Sequence, residues 1–206
     1  MLEEKTHFGH EDYEINQREV IYQGVFRMVR LHLRHRLFAG GWSESFTREL
    51  LERFSAAAVL PYDPILDRVI LIEQFRPGSL SGTTPWLIEI PAGVLVGNDT
   101  PEKLAVREAA EEAGCEVTAL LPITEFFTSP GGCDEYLHIY CGRVDAGNIG
   151  GIHGLKHEHE DIRVLNVTAD EALRMLRANE IKTSPAIVAL LWLELNRGKI
   201  REKWLK

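Results

Sequence analysis

Residues 107–114 read Arg107-Glu108-Ala109-Ala110-Glu111-Glu112-Ala113-Gly114. On a helix, Glu108 is three positions from Glu111 and four from Glu112, so the three carboxylates crowd one face. Like charges so placed repel by about 0.2–0.5 kcal/mol per pair, which a solvated helix tolerates. An acidic surface patch is therefore the plain reading. The chemical reading is that a hard divalent cation makes the cluster favourable: Mg²⁺ prefers oxygen ligands, keeps several waters, and is commonly held by a few carboxylates together with phosphate oxygens. A second acidic group lies in GIHGLKHEHEDIRV, Gly151 to Val164. A general base must reach water without being fixed on a metal, and the loop carboxylates Glu158 and Glu160 both suit that task. His153, His157 and His159 in the same stretch raise a zinc or nickel site, which the missing HExxH spacing and the lack of a nearby Cys argue against. Arg48 and Arg76 carry the forked guanidinium that grips phosphate, although each also reads as an ordinary surface residue.

The surroundings of the first cluster separate these readings. The stretch Gly93 to Cys115, GVLVGNDTPEKLAVREAAEEAGC, resembles the Nudix box, with Gly93, Arg107, Glu108, Glu111, Glu112 and Gly114 all in register. Two departures are mild. Asp99 stands where the pattern has Glu, and the aliphatic positions hold the small residues Ala109 and Cys115. The resemblance implies Glu108 and Glu112 as metal ligands, Glu111 as a further ligand or orienting group, and the main-chain carbonyl of Ala92 completing the shell. It also implies that Asp99 braces Arg107. Two or three Mg²⁺ per site are expected, with Mn²⁺ as a substitute.

Outside the box the chain is similar to the ADP-ribose pyrophosphatase branch of that family. The likeness is carried by Arg34 to Phe38 with Arg48-Glu49, by Ile72 to Arg76, by Ser129-Pro130-Gly131-Gly132, and by Gly151 to Val164; Pro130 lies 16 residues after Gly114. The resemblance implies Mg²⁺-dependent hydrolysis of ADP-ribose to AMP and ribose 5-phosphate, with attack at the adenosyl phosphorus. Glu158 would be the base and Glu160 a further metal ligand. Arg48 and Arg76 would hold the diphosphate, Glu49 the nucleoside, Val25 and Phe26 the adenine, and Ser129, Pro130, Gly131 and Glu135 the terminal ribose. A homodimer that exchanges its N-terminal lobe is implied as well. Hydrolysis of GDP-mannose or another nucleotide sugar, and a non-catalytic ADP-ribose sensor, are the alternatives.

These residues need elements to position them. From Glu19 to Leu37 apolar and polar residues alternate, with Val29, Leu31 and Leu33 against Arg30, His32, Arg34 and Arg36, which predicts one half-buried strand. A turn at Phe38 to Gly41 and a returning strand from Trp42 to Leu50 complete an antiparallel ribbon. Short strands are predicted at Ala56–Leu60, Val69–Phe75, Trp86–Ile90, Val117–Thr128, Tyr136–Val144 and Arg163–Val167. Thr100 and Pro101 are the cap and first residue of a helix ending at Gly114. Asp145 to Asp161 reads as a long loop, a kind often functional inside a compact domain. Thr168 to Ala178 reads as an amphipathic helix, and Ser184-Pro185 as the cap of an apolar helix stopping near Gly198. The fold class expected is α+β: a Nudix α/β/α sandwich on a mixed sheet (56–206), plus an N-terminal antiparallel β lobe (1–55).

Composition bounds the rest. With 206 residues, 45% hydrophobic and 26% charged, the chain reads as globular. Its longest apolar run, Pro185 to Leu193, is far short of the about 20 residues a spanning helix needs, so no membrane association is expected. The polar, acidic start lacks a signal-peptide pattern, and Cys115, Cys133 and Cys141 form no CxxC pair, so a cytoplasmic protein with free thiols is expected. The net charge of −8 argues against nucleic acid. The excess sits in residues 56–196, with 21 acids against ten bases, whereas residues 18–55 carry seven bases and four acids. The Arg30 to Arg36 face is the one feature that keeps an RNA-associated role in view.

Overall fold

The computed structural model describes residues 7–206, so the first six residues of the polar start lie outside the described residues. The chain divides into two compact units. One holds the described residues up to Arg53 together with Phe127–Glu135; the other holds Phe54–Phe126 and Tyr136–Lys206.

The first unit is built on a three-stranded antiparallel sheet in the order β1-β2-β3, with β1 at Tyr13–Gln23, β2 at Arg27–His35 and β3 at Phe46–Glu52. The single strand predicted from Glu19 to Leu37 is thus two strands. The chain reverses at Gly24–Phe26, where the Gly24 N–H donates to the Phe26 carbonyl at 2.9 Å. Alternation continues on both sides of this turn, so the period alone hides the reversal and Gly24 is the one local break signal. The predicted two-stranded ribbon becomes a sheet with a central strand, and Val29 in that strand is fully buried. The returning strand also begins later than Trp42. Two arginines of the basic face are paired within the sheet, Arg30 with Glu49 at 3.1 Å and Glu19 at 3.5 Å and Arg34 with Glu14 at 2.7 Å, while Arg36 lies over the Trp42 ring at 4.4 Å.

The second unit is an α/β/α sandwich. Its strands are β4 (Ala56–Asp63), β5 (Arg68–Phe75), β6 (Trp86–Glu89), β7 (Ala92–Val94), β8 (Ala119–Phe127), β9 (Tyr136–Arg143), β10 (Gly151–His153) and β11 (Ile162–Thr168). They follow the order β10-β11-β5-β4-β9-β8, with β6 also on β5 and β7 on β4. The sheet is mixed: β4 runs parallel to β9 and antiparallel to β5 and β7. All eight residues of β4 are buried, the pattern of a strand covered on both faces. Alternation sorts the two cores. Ile70 and Ile72 of β5 meet Leu104, Ala105, Ala109 and Ala113 of α1 (Pro101–Ala113), while Val69 and Leu71 face α2 (Ala169–Arg177) and α3 (Ser184–Leu205).

Helix α1 starts and stops at the predicted residues. The Thr100 hydroxyl accepts from the Lys103 N–H at 3.4 Å, and Gly114 closes the helix in the left-handed region at φ 63°. Ala105, Ala109 and Ala113 form a stripe of fully buried small residues against the sheet. A small residue at 109, where the box pattern has an aliphatic one, therefore belongs to a close helix-sheet contact. Helix α3 departs from expectation at both ends. Its cap is Thr183 rather than Ser184, and it runs through Gly198 to Leu205. The helix penalty of Gly, about 1 kcal/mol, is outweighed by tertiary contacts beyond it. Ile200 and Trp204 are buried, and Arg197 and Arg201 both reach Asp67, which also accepts the Tyr62 hydroxyl at 2.6 Å. The predicted long loop contains β10 and a single 3₁₀ turn at Lys156–Glu158. No helix among the described residues is long and apolar enough to cross a membrane.

Candidate active site

The carboxylates of α1 look across its C-terminal half toward β7 and the loop before β11. Glu112 is 2% exposed, and its Oε2 accepts the Ala92 N–H at 2.8 Å. Glu108 lies over Gly93, where any Cβ would collide with the carboxylate, so a glycine follows from the close approach. Arg107 on the outer side pairs with Asp99 and reaches Glu108 at 3.5 Å and Glu111 at 3.8 Å. The shorter Asp99 therefore still braces Arg107.

Glu160 arrives from the loop. Its Oε2 accepts the Leu155 N–H at 3.0 Å, and Gly154, at φ 98°, lets the backbone of residues 154 and 160 come together, since a Cβ there would lie 2.7 Å from Glu160 Cβ. The Gly154 N–H also donates to the Glu111 carbonyl at 3.4 Å, tying the loop to α1. Electrostatics link the group. Burial, with Glu108 and Glu160 adding repulsion, pushes the Glu112 carboxyl up to about 8, against the Ala92 N–H and the charge of Arg76. Glu108 is raised too, first by burial and then by Glu111, with Glu160 adding to it. Glu89, raised by burial, receives the Arg76 Nε at 2.7 Å.

Five predicted residues, Ala92, Glu108, Glu111, Glu112 and Glu160, are thus brought together beside Arg76, all in the second unit. Glu158 sits in the 3₁₀ turn, exposed, with His157 Nε2 at 3.5 Å. The three histidines have separate surroundings: His153 lies against Gly114 and 3.0 Å from the Gly150 carbonyl, His157 beside Glu158, and His159 in the left-handed region. No three His, Cys, Asp or Glu side chains among the described residues already enclose a metal position. The donor set nonetheless suits a hard cation, because every convergent group offers oxygen and their mutual repulsion is only partly offset by Arg76 and Arg107.

The other predicted contacts belong to the first unit. Val25 projects from the tip of the β1–β2 turn, 86% exposed. Phe26 lies under the Arg53 guanidinium at 4.8 Å, and Arg53 also pairs with Glu135 at 3.1 Å. Glu135 in turn accepts the Thr128 hydroxyl at 2.9 Å. Ser129, Pro130 and Gly131 form a turn in which the Ser129 carbonyl accepts the N–H groups of Gly132 and Cys133. Arg48 and Glu49 are adjacent on β3 and so point to opposite faces; Arg48 lies over Phe46 at 4.8 Å and Glu49 pairs with Arg30. Arg53 escaped the sequence reading. It joins Phe26 to Glu135 while its Nε is buried without a partner, and no motif spacing marks it.

The NUDIX domain profile matches residues 52–187, which include every carboxylate of this cluster. The chain belongs to the NUDIX family. This NUDIX chain is 40% identical to a protein named ADP-ribose pyrophosphatase from Haemophilus influenzae, over 98% of this chain and 95% of the relative. It is 42% identical to one of that name from Escherichia coli (strain K12), over 96% and 95%. It is also 36% identical to a GDP-mannose pyrophosphatase from Cronobacter sakazakii, over 72% and 78%. A solved structure described as an ADP compounds hydrolase superposes with a TM-score of 0.70 over 92% of this chain and 97% of that one; at 17% identity it speaks to the fold of the NUDIX chain alone.

Proposed function

We propose that this NUDIX hydrolase cleaves the diphosphate of ADP-ribose to AMP and ribose 5-phosphate. The observation that carries the reading is the convergence of Glu108, Glu111, Glu112 and Glu160 beside Arg76. Relatives named ADP-ribose pyrophosphatase, 40–42% identical over nearly the full chain, support the substrate. A diphosphate resists hydrolysis because its anionic oxygens repel attacking water, so cations on those oxygens and a base near the water are needed. Glu108, Glu112, Glu160 and the Ala92 carbonyl would hold Mg²⁺, with Mn²⁺ as a substitute and Glu111 orienting the group. When bound, such ions neutralise the charge that develops on the phosphoryl oxygens. Glu158, exposed in its turn, takes the proton from water. Arg76 grips phosphate while Glu89 holds its Nε.

Ser129, Pro130, Gly131 and Glu135 take the terminal ribose, and the N-terminal lobe supplies the remaining contacts: Arg48 on the diphosphate with Arg76, Glu49 on the nucleoside, and Val25 and Phe26 at the adenine. It also forms a cytoplasmic homodimer by exchange. The outer strand β1 supports this, because Tyr13, Ile15, Val20, Ile21 and Tyr22 are all exposed along it, and an uncovered apolar edge strand is an association surface.

A substrate panel with Mg²⁺ tests the reading, with the solution mass measured alongside. AMP and ribose 5-phosphate from ADP-ribose, well above turnover of GDP-mannose, is the expected result. Faster GDP-mannose cleavage would transfer the assignment to nucleotide sugars, and binding of ADP-ribose without turnover of any diphosphate would leave a sensor.

A further inference from the structure

Gln74 is one of only four polar or charged side chains that are buried among the described residues, at 7% exposure, and its Oε1 has no hydrogen-bond partner there. A buried acceptor left unpaired is unfavourable, and native structures keep few of them. Its place in the sheet gives the reason. Along β5, Ile70 and Ile72 face α1, so Gln74 and then Arg76, whose backbone stays extended, continue the same row. On β6, Leu87 is the register partner of Gln74 and Glu89 that of Ile72, which puts the Glu89 carboxylate on this face as well. Gln74 therefore stands between the apolar contact under α1 and the Arg76–Glu89 pair, on the side where the charge of Arg76 acts on Glu112.

The groups around it do not meet its need. The Nε of Arg76 is given to Glu89, and no group among the described residues donates to Gln74 Oε1. A hydrated divalent cation on the α1 carboxylates would change this, because the waters it retains are strong donors.

We propose that Gln74 is a positioning residue, whose Oε1 accepts a hydrogen bond from a water on the cation held by the α1 carboxylates. This rests on the metal assignment above but not on which diphosphate is cleaved. It assigns Gln74 a role through the hydrate, with no contact to substrate.

The test is Mn²⁺ binding to the substrate-free full chain, followed by electron paramagnetic resonance of the free ion, with thermal melts of the metal-free protein. Gln74→Leu keeps the bulk and removes the acceptor. It is expected to melt no lower than the parent without metal, yet to bind Mn²⁺ about tenfold more weakly, the scale on which partners of metal-bound groups act. Gln74→Glu restores an acceptor and should recover or exceed the parent affinity. Unchanged Mn²⁺ affinity in Gln74→Leu overturns the proposal. So does a large loss of metal-free stability in that variant, which would make Gln74 a structural partner. If the parent chain itself takes up no Mn²⁺, the metal assignment fails first, and the substrate panel shows that separately.

Discussion

The Ala92 amide points at Glu112 Oε2 from 2.8 Å, so the box helix and the strand beside it share one hydrogen bond at the centre of the site. That donor favours the ionised carboxylate. Burial opposes it and prevails, with the neighbouring carboxylates adding to the opposition and Arg76 relieving part of it. The balance has consequences that can be measured.

The metal-free protein should gain stability as pH falls from about 8 toward 4.5. In that window the folded state holds a proton on Glu112 that the unfolded chain has released, so unfolding is progressively disfavoured on acidification. Thermal melts in chelator across this range check it. Glu112→Gln should flatten this part of the profile, because Gln can still accept the Ala92 N–H but does not titrate. The same variant should stay folded and lose most turnover; normal turnover would remove Glu112 from the metal site.

Gly93→Ala isolates the approach of Glu108 to the strand. The added methyl meets the end of a flexible side chain rather than backbone, so stability should change by no more than about 1 kcal/mol. The Glu108 carboxylate must move, and Mn²⁺ affinity and turnover should both fall by about tenfold or more. A variant that keeps parent affinity would show that Glu108 does not hold metal from this position.

Glu158 and Glu160 are two positions apart, yet opposite signatures are expected. Glu158→Gln should lower turnover by about 10²–10⁴-fold, the usual range for a general base, while the Mg²⁺ concentration at half-maximal rate stays put. Glu160→Gln should raise that concentration. Steady-state kinetics over a Mg²⁺ series separates the two, and full turnover by Glu158→Gln would move the base elsewhere.

The sequence made the box helix readable because its signals are local. Thr100, Pro101 and Gly114 are a cap, a first turn and a stop, and the carboxylate spacing follows from 3.6 residues per turn. What escaped it depends on distant partners. Gly198 reads as a stop until Trp204 is seen against Tyr62, with ring centroids 6.4 Å apart. The reversal at Gly24 is concealed because β1 and β2 share one alternation. Gln74 and Glu89 look like unremarkable strand residues until the register shows that both face α1. Arg53 acquires meaning only through Phe26 and Glu135, which lie far from it in sequence.

The proposed cation ligands, Arg76 and the Glu158 turn all fall in the second unit, whereas Arg48, Glu49, Val25, Phe26 and Glu135 fall in the first. On the proposed assignment, the hydrolytic carboxylates and every substrate contact but Arg76 are written in separate stretches of polypeptide. On that assignment, substitutions confined to residues 7–53 redirect the choice of molecule while every carboxylate of the hydrolytic cluster stays as it is, and the N-terminal sheet is the place for a lineage, or an engineer, to alter preference without rebuilding the chemistry.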